Sequence, residues 1–245
     1  MDQCTDPLTT LVRPPVLRIR PSTGQDHAAN VPQRFQRTVI SPLNATTLQV
    51  DSQAAAVASQ GGSAGAARPA STSSSGGGKN LFTFDRVVGP DEGQADVYSE
   101  AEPLVEAFLE GMNATILAYG QTSSGKSYTM GTDRTNADDD AAGDDRLGIT
   151  PRAVRAIFDR IRDVQRDTKG ATTFNAKLSY VEIYNEDLID LLAGEGDARP
   201  TVQIREDKQG NIIWSGLREV KVSSAADVMK YVSVSPGRVF GSERG

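Results

Sequence analysis

The octapeptide Gly120-Gln121-Thr122-Ser123-Ser124-Gly125-Lys126-Ser127 constrains the fold of this chain more than any other stretch. Its pattern, G-x-x-x-x-G-K-[ST], is that of a phosphate-binding loop, and each fixed position has a mechanical reason. Gly120 and Gly125 let the backbone curl tightly enough to aim successive N–H groups at one anion. Lys126 supplies a point charge for β- and γ-phosphates, and the Ser127 hydroxyl is the protein's ligand for Mg2+. The stretch before it, Ala114-Thr115-Ile116-Leu117-Ala118-Tyr119, is short, apolar and partly β-branched, and reads as a buried strand. A helix starting at the loop's end would turn its N-terminal dipole toward the phosphates. The chain therefore reads as a nucleoside triphosphate binder of the α/β class.

The length of 245 residues allows one large domain or two small ones. Hydrophobic residues make up 38%, which is low for a packed globule, and the deficit is local. From Ser52 to Gly78 the chain is almost wholly Ala, Ser, Gly and Gln, too poor in apolar surface to offset the entropy of ordering. Residues 52–78 are expected to be a disordered insertion within a domain, because strand-like sequence resumes at Leu81-Phe82-Thr83-Phe84-Asp85. A net charge of −6 gives no support for nucleic-acid binding. Much of that acidity lies in 138–145, whose spacing does not match a calcium loop.

Cys4 is the only cysteine, which excludes an internal disulfide framework and suits a reducing compartment. His27 is the only histidine, so no His-based metal site or Ser-His-Asp triad is expected. No apolar run approaches membrane-spanning length, and the N-terminus shows no secretory signal. The expectation is a soluble, cytoplasmic protein without membrane insertion.

Along the chain, Val16 to Pro21 alternates apolar and basic residues as a strand should, and Phe35 to Val50 fits a small hairpin. Val97, Ala101, Leu104, Val105, Phe108, Leu109 and Met112 recur at helical spacing. Ser99 with Glu102 fits a capping box for that helix, and Pro103 equally fits its first position. Thr150-Pro151 reads as a cap and first-turn proline ahead of Val154, Ile157, Phe158, Ile161 and Val164. Phe174 to Tyr180 alternates as one long strand, and Asn185 fits the cap of a short helix ending at Leu191-Leu192. Val202 to Arg205 and Asn211 to Trp214 read as strands joined across Gln209-Gly210, with a further strand over Arg218 to Val222. Ser223 or Ser224 would cap a last helix through Val228 and Val232.

These residues resemble a known family, the kinesin motor domain. Six segments carry the likeness in order: Arg18-Ile19-Arg20-Pro21, Phe82 to Val87, Leu117 to Thr122 leading into the loop, Ser127 to Met130, Gly148-Ile149-Thr150-Pro151-Arg152, and Ser179 to Glu186. The resemblance spans about residues 15–232, interrupted by 52–78. Ser123 stands where many members have Gly. The resemblance implies a three-layer α/β sandwich of the P-loop NTPase class and microtubule-stimulated ATP hydrolysis driving movement along microtubules. ATP or ADP with Mg2+ would be the ligand, tubulin the partner, and the cytoplasm and cytoskeleton the location. It also implies that Gly120 to Ser127 hold the phosphates, with Lys126 the catalytic charge and Ser127 the metal ligand. Arg18, Arg20 and Pro21 would flank the adenine, with Tyr98 beside it and Tyr128 packed near the same base. On pattern alone, Arg18 and Arg20 also fit a solvated strand face, and Tyr98 a core anchor.

Kinesins complete catalysis with two later segments, N-x-x-S-S-R-S-H and D-L-A-G-S-E, and neither occurs within residues 1–245. The expectation is a C-terminally truncated motor domain over 15–232, a disordered N-terminus over 1–14 and a divergent tail over 233–245. Three readings follow: the front portion of a kinesin ATPase, a non-catalytic nucleotide-binding remnant, or another phosphate-loop class. The long sequence before the loop and the lack of an N-K-x-D guanine motif oppose the last.

Overall fold

The computed structural model describes residues 15–22, 39–51, 78–132, 146–193 and 201–234. The expected N-terminal tail, the expected C-terminal tail apart from Ser233 and Val234, the acidic run 138–145 and all of 52–78 but Gly78 lie outside them. The chain divides into two compact units, Met1–Glu100 and Ala101–Gly245, with the boundary inside a helix.

In the first unit, β1 (Val16–Arg18) runs parallel to β5 (Arg86–Val88), with Val16 opposite Arg86. The pairing extends one step further, the Ile19 N–H donating to the Val88 carbonyl at 2.9 Å. Val87 and Val88 are fully buried and anchor this ribbon. Beside it, β2 (Ile40–Pro42), β3 (Thr47–Asp51) and β4 (Lys79–Thr83) form an antiparallel meander. The hairpin expected over 35–50 is thus present from Ile40 onward, and residues 35–38 lie outside the described residues. The Asn44 side chain shapes its turn: Oδ1 accepts the N–H groups of Thr46 and Thr47 at 2.9 and 2.8 Å. The segment from Phe82 to Val87 belongs to two strands, not one, because β4 ends at Thr83 and β5 starts at Arg86.

Helix α1 (Gln94–Leu109) begins five residues before the expected Ser99 cap and encloses Pro103. The start is fixed by Asp96, whose Oδ2 accepts the Gly93 N–H at 2.7 Å. The helix continues through the proline because a buried stripe of Gln94, Val97, Ala101 and Val105 recurs at helical spacing on both sides of it. Its end is a Schellman closure: Met112 N–H donates to the Ala107 carbonyl and Gly111 N–H to that of Phe108, both at 3.0 Å.

In the second unit, α2 (Lys126–Met130) follows the phosphate loop, and α3 (Ile149–Asp167) follows Gly148. Gly148, not Thr150, is the N-cap, so Pro151 falls at the third helical position. Proline is harmless there because the first N–H groups of a helix have no intrahelical acceptor. Short ribbons complete the unit: β6 (Ala176–Leu178) with β11 (Val220–Val222), β7 (Val181–Tyr184) with β8 (Asp187–Asp190), and β9 (Gln203–Glu206) with β10 (Ile212–Ser215). All three are antiparallel. Helix α4 (Ala225–Val234) ends the described chain. Phe158 of α3 and Val228 and Val232 of α4 bury themselves against Val222 and the β6–β11 ribbon, forming this unit's core.

Three expectations are corrected here. The long strand over 174–180 stops at Leu178, and β7 opens a separate hairpin three residues later. The helix expected after Asn185 is instead β8. Asn185 and Glu186 take φ of 49° and 70°, so the chain reverses in a two-residue turn rather than being capped into a helix. Ala114–Tyr119 joins no strand ladder among the described residues, and while Ile116 and Ala118 are part-buried, Leu117 is 85% and Tyr119 96% exposed. The described strands accordingly form one three-stranded and four two-stranded sheets. Two local readings hold: Gly210 turns the β9–β10 hairpin, and Ser224 caps α4, its hydroxyl accepting the Asp227 N–H at 3.1 Å.

Candidate functional site

The loop from Gly120 to Ser127 owes its shape to three residues in the positive-φ region: Gly120 at 156°, Ser123 at 65° and Gly125 at 96°. Ser123 carries a Cβ and so holds this conformation at a cost of about 1 kcal/mol. At Gly120 the positive φ strains any side chain, and a Cβ would lie 2.5 Å from Ser124 Oγ and 3.2 Å from Ser124 Cβ, so the Ser124 side chain would have to move. Across the loop, the Lys126 ammonium donates to the carbonyls of Gly120 and Gln121 at 2.8 and 2.7 Å. An ammonium has three donors, so this clasp fixes Lys126 while one N–H remains to meet an acceptor. The Ser124 N–H closes the turn onto the Gln121 carbonyl at 3.2 Å. Gln121 and Thr122, at the loop's crest, are exposed, as is Ser127.

The first intrahelical bond of α2 runs from the Thr129 N–H to the Gly125 carbonyl at 2.9 Å, so the amides of Lys126 and Ser127 have no acceptor within the helix. Since α2 has only five residues, its dipole adds little, and the charge of Lys126 and the local amides dominate. The donor set therefore fits a phosphate: a fixed cation, two helix-start amides and a loop backbone curled through glycines at positive φ. The Ser127 hydroxyl supplies the hard oxygen that Mg2+ prefers. Among the described residues, no group of three or more His, Cys, Asp or Glu side chains is arranged to hold a metal. Tyr128 lies on α2, largely exposed.

Arg18, Arg20, Pro21 and Tyr98 belong to the first unit, the loop and Tyr128 to the second. Arg18 ends β1, and Arg20 and Pro21 follow it in exposed backbone. The structure ties Arg18 to α1: its Nη1 donates to Gln94 Oε1 at 2.8 Å. Tyr98, half-buried, stands one helical turn after Gln94 on the same face. Sequence reasoning missed Gln94. The signal was available, because Gln94 extends the Val97, Ala101, Val105 stripe backward, and a polar residue on a core stripe demands a partner. It also missed the brace behind this corner, where Arg86 pairs with Glu92 and Glu100 while Glu92 Oε2 accepts the Gly89 N–H at 2.6 Å. Burial first, and the charge of Glu182 second, push the Tyr180 phenol above its ordinary value.

The model of the kinesin motor domain matches residues 18–238. The chain belongs to the kinesin motor domain family. It is 39% identical over 151 residues to the kinesin-like protein Klp61F of Drosophila melanogaster, a match covering 61% of this chain and 14% of that protein. Against human kinesin-like protein KIF27 the identity is 41% over 155 residues, covering 63% of this chain and 10% of the relative. Chromosome-associated kinesin KIF4 of Xenopus laevis is 41% identical over 149 residues, covering 60% and 12% respectively. A solved fast kinesin superposes with a TM-score of 0.62 at 30% identity, covering 88% of this chain and 49% of that one. This kinesin chain thus spans about half the length of the solved motor and a small share of the curated relatives. The P-loop NTPase fold follows from these matches, although the strands here form separate ribbons.

Proposed function

We propose that this chain is the nucleotide-binding portion of a microtubule motor that binds and hydrolyses ATP with Mg2+. The observation that carries the reading is the Gly120–Ser127 loop in a kinesin-family chain, its lysine clasped to the loop's own carbonyls. Lys126 would neutralise the β- and γ-phosphates, the amides of Lys126 and Ser127 would orient them, and the Ser127 hydroxyl would hold Mg2+. A metal held by the Ser127 hydroxyl would supply positive charge to offset what develops on the phosphates. Pre-set donors need no reorganisation when charge develops, which is why a rigid clasp favours catalysis. Arg18, Arg20, Pro21, Tyr98 and Tyr128 are assigned to the base by family likeness.

The motor is proposed to span 15–232 with 52–78 as an internal insertion, and to act on microtubules in the cytoplasm. No described helix is long and apolar enough to cross a membrane. Titration of the wild-type chain and of Lys126→Ala with a fluorescent ATP analogue and Mg2+ tests the reading. The wild type binds and the variant loses about 100-fold or more in affinity, since a charge-assisted phosphate contact is removed. Equal affinities would remove the loop from the site.

A further inference from the structure

Helix α2 carries Ser127, the proposed Mg2+ ligand, yet it has only five residues and no buried side chain. A helix that short depends on its surroundings for its place. Ser127 is tied from its C-terminal side, where its carbonyl accepts the N–H groups of Gly131 and Thr132 at 2.8 and 3.0 Å. Gly131 is buried, and so is Gly148, the N-cap of α3. A Cβ on Gly148 would lie closer than 3.0 Å to the nitrogen and Cα of Gly131 and to the carbonyl carbon of Met130. All three are backbone atoms, so no side-chain rotation relieves the clash. Beyond Gly148, α3 packs Val154, Phe158 and Ile161 into the core with α4 and the β6–β11 ribbon. Every residue in this run of contacts belongs to the second unit.

We propose that Gly148 is a positioning residue for the metal ligand: by leaving room for the Gly131 backbone, it lets α3 set where the Ser127 hydroxyl stands. The proposal deepens the nucleotide reading above and rests on it. A Cβ at position 148 would push the two helices apart, and the shift would fall on α2, since α3 is anchored by buried side chains and α2 by none. Lys126 would absorb that shift, because its ammonium rides on a flexible four-carbon stem and is clasped by the nearby Gly120 and Gln121 carbonyls. Ser127 would not, because its hydroxyl sits on a short stem and Mg2+ demands near-ideal octahedral geometry. Gly148 therefore governs the metal-dependent part of phosphate binding and leaves the part that rests on Lys126.

That separation gives the test. Calorimetric titrations with inorganic tripolyphosphate, in Mg2+ and in EDTA, are run on wild type, Gly148→Ala, Gly131→Asn, Ser127→Ala, Gly148→Ala/Ser127→Ala and Val228→Ala. Gly148→Ala is expected to weaken binding about tenfold in Mg2+ and to leave the metal-free affinity unchanged. Gly131→Asn behaves alike, because asparagine accepts left-handed backbone but its Cβ fills the same gap. Val228→Ala, a core truncation away from the contact, keeps both affinities. The double variant binds no more weakly than Ser127→Ala alone, because both changes remove one metal contact. The wild type supplies a readout that needs no variant to fold: Mg2+ with tripolyphosphate slows exchange of the Gly131 and Thr132 amides more than tripolyphosphate in EDTA does. Parallel losses with and without metal in Gly148→Ala, the same loss in Val228→Ala, additive losses in the double variant, or equal exchange in the wild type would overturn the proposal. Wild-type binding that ignores Mg2+ would overturn it while leaving the phosphate loop intact. Failure of the wild type to bind tripolyphosphate at all would remove the nucleotide site itself.

Discussion

Gly148 abuts Gly131 so closely that a Cβ on Gly148 would lie 2.3 Å from the Gly131 nitrogen and 2.5 Å from its Cα. The relation is mutual, since a Cβ on Gly131 would lie 2.9 Å from both Cα and N of Gly148. Gly131 is the C-cap of α2 and Gly148 the N-cap of α3, so the contact pins the helix after the phosphate loop to a 19-residue helix rooted in the core. Gly148 has φ of −77°, which any residue adopts, so its role is space rather than backbone freedom. At Gly131, with φ of 78°, both apply.

Gly148→Ala is therefore expected to cost about 2 kcal/mol through overpacking against backbone, without a conformational penalty. Urea unfolding midpoints measure the loss. Hydrogen exchange at the Gly131 and Thr132 amides, which both bond the Ser127 carbonyl, is expected to quicken in the variant. Unchanged exchange there would show that α2 is held by something other than this contact.

The β7–β8 turn offers the opposite experiment. Glu186 sits at φ of 70° in the second turn position after Asn185, where glycine carries no steric cost. Glu186→Gly is expected to stabilise the chain by about 0.5 kcal/mol, strain relief being partly offset by a more flexible unfolded state. A raised thermal midpoint checks it, and a lowered one would refute the strain.

Acid stability is expected to depend on Asp227 and Asp207. Hydrogen bonding by the Ser223 hydroxyl, then by backbone N–H groups, holds the Asp227 carboxyl below its ordinary value. The Asn211 side chain and amide do the same for Asp207 in the β9–β10 turn. A carboxylate with a depressed folded-state pKa contributes stability that is complete above its unfolded value of 3.8 and fades as pH falls through the folded one. Denaturant midpoints between neutral pH and pH 2 should be flat down to about pH 4 and then fall. Asp207→Asn and Asp227→Asn should each make that fall shallower.

Leu117 and Tyr119 present an apolar, unpaired backbone segment to solvent. Such an edge is a template for another chain. Residues 1–245 are expected to self-associate as concentration rises, and Leu117→Thr with Tyr119→Lys to suppress this. Light scattering distinguishes the outcomes: equal scattering by both proteins would show that association starts elsewhere. The substitutions lie outside Gly120–Ser127 and so should leave tripolyphosphate binding in place.

Much of the site was legible before any fold was known, because a phosphate loop depends on local backbone rules. The glycines at 120 and 125 sit at positive φ, and Lys126 reaches back only five and six residues for its partners. The α4 cap at Ser224 and the β9–β10 turn were readable for the same reason, their hydrogen bonds closing within four residues. The α1 start was misread because Ser99–Glu102 is a good local cap, whereas burial of Gln94 and Val97 extends the helix ahead of it.

By itself, then, the sequence determined the loop chemistry, the family and most element types, since these follow from neighbouring residues and short-range periodicity. Tertiary structure alone decided the contacts that join distant segments. Arg18 meets Gln94 across 76 residues, and the buried Asp190 carboxylate accepts the amides of both Leu192 and Arg218, joining β8 to the approach to β11. It also decided that Asn185 opens a hairpin and that Ala114–Tyr119 joins no ladder among the described strands. A strand exists only when a neighbour supplies its hydrogen bonds, and no pattern within six residues encodes the neighbour.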